Sequence, residues 1–416
     1  MGDIPVYPLN EPYYIPGKVW TSPFNFDFSN PNPEHVTIYD VTLRDGDQTP
    51  GVVFREDERV RVATALAEMN MPRIEAGMPV VSKEIENSMR RLVEKKFPNT
   101  KIYAFNRAVT RDIELSADIG VDGSIIEYLV NPEIIKYCYK DTFDSVLDKI
   151  VPAVNLAKEK GMDVAFMGWD WFRSPIEFTK WLVGELYNRT AIDGLVMVDT
   201  FGCATPDAVA GMFKRFKDWF PRLRLEFHGH NDLGMANANA LAAVQNGAEV
   251  VHGAMLGLGD RCGNTSTEEL AVMFQYHKGI ETGLKLDRIA STAQLVSKIS
   301  GVKPHDNKPL LGTRPFLVEA GVGIDIAYKM QAVGREQPQF GMAVNPELIG
   351  RNDKSKFVLG KNSGKSTIKL KLMELGLEAS DDQVKEILRR VMQEGIVTKS
   401  LVSDNQFMDI YHAVCG

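Results

Sequence analysis

Cysteine is scarce in this chain. Four residues, Cys138, Cys203, Cys262 and Cys415, stand too far apart for a disulfide framework or a zinc ribbon. Reduced thiols and a cytoplasmic location are the expectation. Long apolar runs are absent as well: no stretch reaches transmembrane length, and the N-terminus lacks an apolar signal-peptide core. Nor is there an excess of positive charge. A net charge of −7 and a pI near 5.7 argue against a nucleic-acid or anionic-membrane surface. Low-complexity tracts and helical-repeat periods are missing too. What remains is 416 residues of ordinary globular composition, 44% hydrophobic and 25% charged, enough for a large core and more than one domain.

Residues 1–35 are rich in proline and aromatic residues, which excludes a long helix and argues against a freely disordered tail. An arm packed on its own domain or on a second subunit fits better. From residue 36 short β-branched runs alternate with amphipathic helical stretches. The strand candidates are 36–42, 73–77, 101–105, 123–129, 163–168, 194–199, 223–229 and 249–255. Eight strand–helix units over 36–280 predict an α/β fold, a (β/α)8 TIM barrel. A doubly wound sheet is the rival, but its glycine-rich turn after the first strand is lacking: the chain reads "DVTLRDGDQ" there. Beyond about residue 280 helical patterns dominate, two of them with capping-box openings at Ser380/Gln383 and Ser403/Gln406. A small helical C-terminal region over 281–416 is expected, with an irregular segment at 303–362.

A barrel of this kind carries its site at the C-terminal ends of its strands. There the sequence places Asp40, Arg44, Asp45 and Gln48 after the first strand and Glu75 on the second. Asp199 and Thr200 follow the sixth. The seventh ends in "HGHND", residues 228–232, and "GLGDRCGN" with Arg261, Cys262 and Asn264 follows the eighth. Side chains alternate along a strand, so His228 and His230 face one way. Two imidazoles, a carboxylate and an asparagine oxygen make an open site for a divalent metal (Mn, Mg, Zn or Co). Such a site suits a 2-oxo acid, whose ketone the ion would polarise. Arg44 would stabilise the developing oxyanion, and the Thr200 hydroxyl could hold the substrate carboxylate. Each residue also has a plain structural reading, as a buried hydrogen-bonded histidine or a loop salt bridge. Cys262 reads as inert.

At these residues the sequence resembles a known family. "DVTLRDGDQTPGVVF" and "HGHNDLGMANANALAAVQNGAEVVHGAMLGLGDRCGN" look like the two signatures of the 2-isopropylmalate synthase and homocitrate synthase family. That family belongs to a metal-dependent superfamily that includes 3-hydroxy-3-methylglutaryl-CoA lyase. "GKNSGKSTIKLKLMELGLEASDDQ" resembles the helical subdomain after the synthase barrel. The resemblance implies a homodimer and addition of an acyl-CoA, usually acetyl-CoA, to a 2-oxo acid, followed by thioester hydrolysis. By motif, Asp45, His228 and His230 match the metal ligands, and Asn264 a further ligand in part of the family. Arg44 matches the catalytic arginine, Thr200 the carboxylate contact, and Gln48 and Glu75 pocket residues. No leucine-sensing domain is expected in this length.

The departures are as informative. Ile134 stands where a family histidine is usual, and Trp169 replaces a glutamate, although Asp170, Arg173 and Ser174 still fit. Val318 and Gly323 replace two histidines, and Asn362 another. Trp169 and Trp171 add bulk that could reshape the pocket. Glu75 and Asp170 join Arg44 as catalytic candidates, with Tyr128 and Tyr328 as alternative acids. Gln48, Thr200, Arg173 and Tyr128 are the substrate-contact candidates. A divergent acyl-CoA:2-oxo acid synthase is the leading expectation. Cleavage of a 2-hydroxy acid or 3-hydroxyacyl compound by the reverse enolate chemistry is the alternative. A non-catalytic relative that keeps the metal fold is a third.

Overall fold

The structure, a computed structural model, describes residues 11–27, 32–332, 343–352 and 356–416. Its contacts divide into two compact units, residues 27–304 and residues 305–416 with the N-terminal residues up to 26. After a short antiparallel hairpin, β1 (Tyr14–Ile15) and β2 (Val19–Trp20), the chain enters the larger unit. There β3 (Thr37–Asp40), β4 (Arg73–Gly77), β5 (Lys101–Arg107), β6 (Gly123–Leu129), β7 (Asp163–Trp169), β8 (Gly194–Asp199), β9 (Arg224–Gly229) and β10 (Ala248–Gly253) pair in parallel. β10 closes on β3. This is the TIM barrel that the alternation of patterns predicts. Helices such as Glu56–Glu68 and Pro206–Trp219 join successive strands. Their buried residues recur at helical spacing, as Val60, Ala63 and Leu66 do on the first.

The barrel interior is more polar than the branched aliphatic layers usual in this fold. At its N-terminal end Arg224 donates to Glu226 (2.7 Å) and Asp163 (3.2 Å), and the Tyr103 hydroxyl donates to Asp163 (2.6 Å). Above them Tyr39 stacks on His252 and its hydroxyl reaches Glu75. Glu75, Glu226 and His252 are fully buried, and each has a charged or hydrogen-bonding partner, as burial of such groups requires.

In the smaller unit the helices Lys365–Leu375, Asp381–Thr398 and Asp404–Cys415 pack around Leu359, Ile368, Leu372, Ile387, Val391 and Phe407. Both capping boxes form: the Gln383 amide N–H donates to the Ser380 hydroxyl and the Gln406 N–H to Ser403. The segment expected to be irregular holds more order than its pattern suggests. It contains the helix Gly321–Ala332 and a parallel pair, β11 (Leu317–Val318) and β12 (Lys356–Phe357). Two-residue strands are too short for alternation to show. The helix opens on Gly321, against the backbone of Gly364, where a Cβ would stand 3.2 Å from the Gly364 nitrogen. The N-terminal hairpin pairs within this unit, the Trp20 N–H donating to the Ala343 carbonyl and the Asn345 N–H to Lys18. Residues 1–10 and 28–31 of the expected arm lie outside the described residues. Among the described residues no helix is long and apolar enough to cross a membrane.

Phe407 is fully buried in the core of the smaller unit. Phe407→Ala should cost about 3–5 kcal/mol, read as an earlier urea-unfolding midpoint.

Candidate active site

Three loops at the C-terminal end of the barrel build the site. After β3 the N–H groups of Arg44, Asp45 and Gly46 all donate to the Val41 carbonyl (2.9–3.1 Å). The Thr42 N–H donates to the Asp40 carboxylate (3.0 Å). The strand therefore ends at Asp40, and the tight turn aims Arg44 and Asp45 over the barrel mouth. After β8 the Asp199 carboxylate accepts from the N–H groups of Cys203 (2.9 Å) and Ala204. Asp199 thus organises the loop that presents Thr200. Gly202 in this loop has φ +55°, and a Cβ there would stand 2.7 Å from the Asp232 nitrogen, so the two loops approach too closely for any side chain. The third loop folds back from β10 onto the end of β9, where His230 and Asn264 form an antiparallel bridge.

His228 and His230 do face one way, and Asp45 joins them. The Asp45 Oδ2 lies 3.3 Å from His228 Nε2 and 3.7 Å from His230 Nε2, and the two Nε2 atoms are 3.4 Å apart. Atoms sharing one ion at bond lengths of about 2.0–2.1 Å stand roughly 3.0–3.4 Å apart. Two edges of the triangle meet that spacing and the third, from Asp45 to His230, is slightly longer, so the three atoms could hold a divalent ion with a small closing of that edge. The atoms are also buried yet unsatisfied: Asp45 Oδ2 and the Asn264 Oδ1 accept no well-aligned hydrogen bond. The Asn264 amide nitrogen is held by the Leu258 carbonyl (2.8 Å), which leaves its oxygen as the free atom. Gly229 is small for a reason: a Cβ there would meet the Phe227 ring at 2.6 Å.

Electrostatics prepare the same set. Burial pushes both imidazoles down to about 4, partly offset by Asp45, so both are neutral near pH 7 with lone pairs to give. Burial pushes the Asp45 carboxyl up, but the Arg44 guanidinium and His228 outweigh it and hold the group well below the usual carboxylate range. Behind His228, its Nδ1 meets the His252 Nδ1 at 3.3 Å, and the His252 Nε2 meets the Glu226 carboxylate at 3.1 Å. Glu226, ionised by its pairing with Arg224, accepts the His252 proton. His252 Nδ1 must then accept from His228 Nδ1, which turns the lone pair of His228 Nε2 towards the triangle.

Arg44 is committed on three sides: its Nε donates to Glu75, Nη1 lies 3.4 Å from Asp45, and the guanidinium sits 4.2 Å over the Phe105 ring. Its buried Nη2 has no partner and is left to a ligand. Thr200 Oγ1 accepts from the Asp170 N–H (2.9 Å), so its own proton is free to donate. A cavity of about 440 Å³ opens between these groups, lined also by Gln48, Glu127, Trp169 and Phe201.

The structure thus brings together Arg44, Asp45, Gln48, Thr200, His228 and His230, with Asn264 alongside. Glu75 lies beneath Arg44, fully buried and outside the cavity lining. Asp170 is spent on Arg173 (2.6 and 3.0 Å) and Asn131 (2.7 Å), and neither Asp170 nor Arg173 lines the cavity. Tyr128 points away: Glu127 takes the inward position on β6, and the Tyr128 hydroxyl donates to Asp141 (2.6 Å). Tyr328 belongs to the smaller unit, Trp171 is buried in the barrel unit, and Cys262 is exposed. Glu127, Phe105 and the Glu226–His252 pair were not singled out from the sequence, although strand alternation puts Glu226 on the face of His228 and Glu127 on that of Ile125.

The sequence profile of the HMGL-like family matches residues 35–296, and one described as homocitrate synthase post-HMGL domain-like matches residues 331–398. A homocitrate synthase of Saccharolobus islandicus (strain M.14.25 / Kamchatka #1) is 35% identical over 384 residues, 92% of this chain and 80% of that protein. The homocitrate synthase of Sulfolobus acidocaldarius is 34% identical over 359 residues, 86% of this chain and 74% of its own. Among solved structures, the HMG-CoA lyase of Bacillus subtilis superposes with a TM-score of 0.60 at 22% identity, covering 67% of this chain and 97% of the lyase. The hydroxymethylglutaryl-CoA lyase of Pseudomonas aeruginosa gives 0.59 at 20%, with coverages of 67% and 97%. The lyases share the barrel; the homocitrate synthases share sequence through the helical region as well. The chain belongs to the HMGL-like family, in its homocitrate synthase-related group.

Proposed function

We propose that this protein is a divalent-metal-dependent synthase that joins an acyl-CoA, acetyl-CoA in the first instance, to a 2-oxo acid and, with hydrolysis of the thioester by water, yields a 2-hydroxy diacid and free CoA. One observation carries the reading. The Asp45–His228–His230 triangle, the unpartnered Arg44 Nη2 and the free Thr200 proton face one cavity, in a chain that aligns with homocitrate synthases along 92% of its length. Asp45, His228 and His230 would hold the ion, with the Asn264 oxygen as a further ligand. When bound, the ion supplies Lewis-acid polarisation of the ketone. Thr200 donates to the substrate carboxylate. Arg44 Nη2 donates to the oxygen that gains negative charge as the carbon–carbon bond forms. Glu75 acts through Arg44, fixing its Nε so that Nη2 stays aimed. Asp170 acts through Thr200, whose oxygen its N–H occupies. Gln48 lines the same cavity and offers an amide to the substrate. A homodimer and a cytoplasmic location belong to the same reading.

Cleavage is the second reading, favoured by Ile134, Trp169 and Gly323 in places where the resembling synthases carry histidine or glutamate. One assay separates the two. The Mn(II)-loaded protein is given acetyl-CoA with a panel of 2-oxo acids, and free thiol is followed. Release that depends on one oxo acid establishes condensation. Silence with metal bound, and thioester or oxo-acid release from a 2-hydroxy acid or 3-hydroxyacyl-CoA, establishes cleavage.

Arg44→Ala should lower kcat by about 10²–10³ with metal binding retained, the loss typical of one oxyanion donor. Steady-state kinetics beside metal titration checks it. His228→Ala should abolish stoichiometric Mn(II) or Co(II) binding. His252→Leu, which leaves every ligand in place, should weaken the ion by about 10–100-fold through the lost tautomer control. Calorimetric metal titration of the three proteins gives the order.

A further inference from the structure

Resting on the condensation reading, the geometry points to a substrate class: a 2-oxo acid with a single carboxylate and an uncharged tail, selected by the apolar wall of the cavity and by Glu127. The cavity divides in two. One end holds the Asp45–His228–His230 triangle, Thr200 and the Arg44 guanidinium, where the keto and carboxylate oxygens of the substrate would sit. The remaining wall comes from Phe105, Met167, Trp169, Val198 and Phe201, with Gln48, Glu127, Asp260 and Arg261 as its polar members. Trp169 meets Phe201 edge to face with centroids 5.4 Å apart, so the wall is a packed aromatic surface.

A distal carboxylate on the substrate would need a cation. Among the described residues lining the cavity, the cations are Arg44 and Arg261. Arg44 is turned to the metal end by Glu75 and Asp45. Arg261 is fully engaged: it donates twice to Asp232 (2.8 and 2.9 Å), once to Asp260 (2.9 Å) and once to the Thr200 carbonyl (2.6 Å). Arg173 packs on the outer side at 3.6 Å from the Phe201 ring and is bound at two nitrogens by Asp170. Among the described residues lining the cavity, no free cation is left for a tail. Glu127 points the other way in charge: it lies in the cavity without an ion pair, beside Met167 in the β6–β7 register. A second carboxylate would meet apolar rings and another carboxyl group, and would lose hydration without a cation to replace it.

The test compares two acids of equal chain length, 2-oxopentanoate and 2-oxoglutarate, by calorimetric titration into Mn(II)-loaded protein without acyl-CoA. The wild type is expected to bind 2-oxopentanoate at least 10-fold more tightly. Glu127→Gln should narrow the gap severalfold through better 2-oxoglutarate binding, and Met167→Arg should narrow or reverse it. Equal binding in the wild type, or preference for 2-oxoglutarate, overturns the proposal, as does failure of both acids to bind. CoA release measured on the same samples separates this from the reaction itself. Release driven by 2-oxoglutarate sinks the selectivity and leaves condensation standing. Tight 2-oxopentanoate binding with no release from any acyl donor supports the selectivity and removes condensation.

Discussion

The contact of Glu226 with Arg224 on one side and His252 on the other governs the chemistry several residues above it. Glu226 is fully buried and stays ionised because burial is outweighed by Arg224, His252 and Arg73, which hold it far below the ordinary range. Were it protonated, it could no longer demand a proton from His252. The His252 ring would then be free to offer Nδ1–H, and His228 would have no fixed tautomer. The direction of the lone pair on His228 Nε2 is thus set two residues away, by a charge pair at the closed end of the barrel. A barrel filled with valine and isoleucine would be simpler to stabilise, since exchanging buried ion pairs for apolar packing is often neutral or favourable. What the ion pairs add is orientation.

The same logic runs through Arg44. A guanidinium has five N–H donors in a rigid fork, and here each arm has one assignment. Glu75 takes Nε, Asp45 faces Nη1, the Phe105 ring covers one face, and Nη2 is left over. A lysine would keep the charge but lose the division of labour. The loop after β3 makes this possible by satisfying three successive N–H groups with the single Val41 carbonyl.

Much of this was legible in the sequence, for identifiable reasons. Eight β-branched runs separated by helical patterns are a long-range signal, and β4, β6 and β8 fall where the runs do. The histidine pair followed from strand periodicity alone. Strand alternation was not applied to Tyr128: β6 turns Glu127 inward, so its neighbour faces the helices, where Asp141 and Lys149 hold it. Asp170 and Arg173 were candidates by motif, and their pairing with each other appears only in the folded loop after β7. The helix at Gly321–Ala332 escaped because its two glycines weaken the helical pattern, and Gly321 is there for its close approach to the Gly364 backbone. His252 sat in plain view on β10, but its importance lies in what it touches, and that is a property of the closed barrel.

The departures from the resembling synthases do not all bear on the cavity. Among the described residues of the barrel unit, Trp169 alone of the substituted positions lines it, while Ile134 lies in a short helix after β6. Trp169 replaces a carboxylate-bearing side chain with an indole packed on Phe201. On the adjacent strand, one layer nearer the barrel centre, Glu127 carries a carboxyl into the same space. Burial pushes the Glu127 carboxyl up to about 7, with Arg44 opposing, so near neutral pH the group is poised between donor and acceptor in the absence of ligand. A substrate bringing a second negative charge would drive it towards the protonated form and spend binding energy on that shift; an uncharged tail would not. Substrate choice and protonation are therefore coupled at one side chain. That coupling predicts that discrimination between the two acid classes weakens as pH falls and Glu127 takes up its proton, because protonated Glu127 no longer repels. Repeating the paired titrations at pH 6 and pH 8 reads it directly, with the larger ratio expected at pH 8.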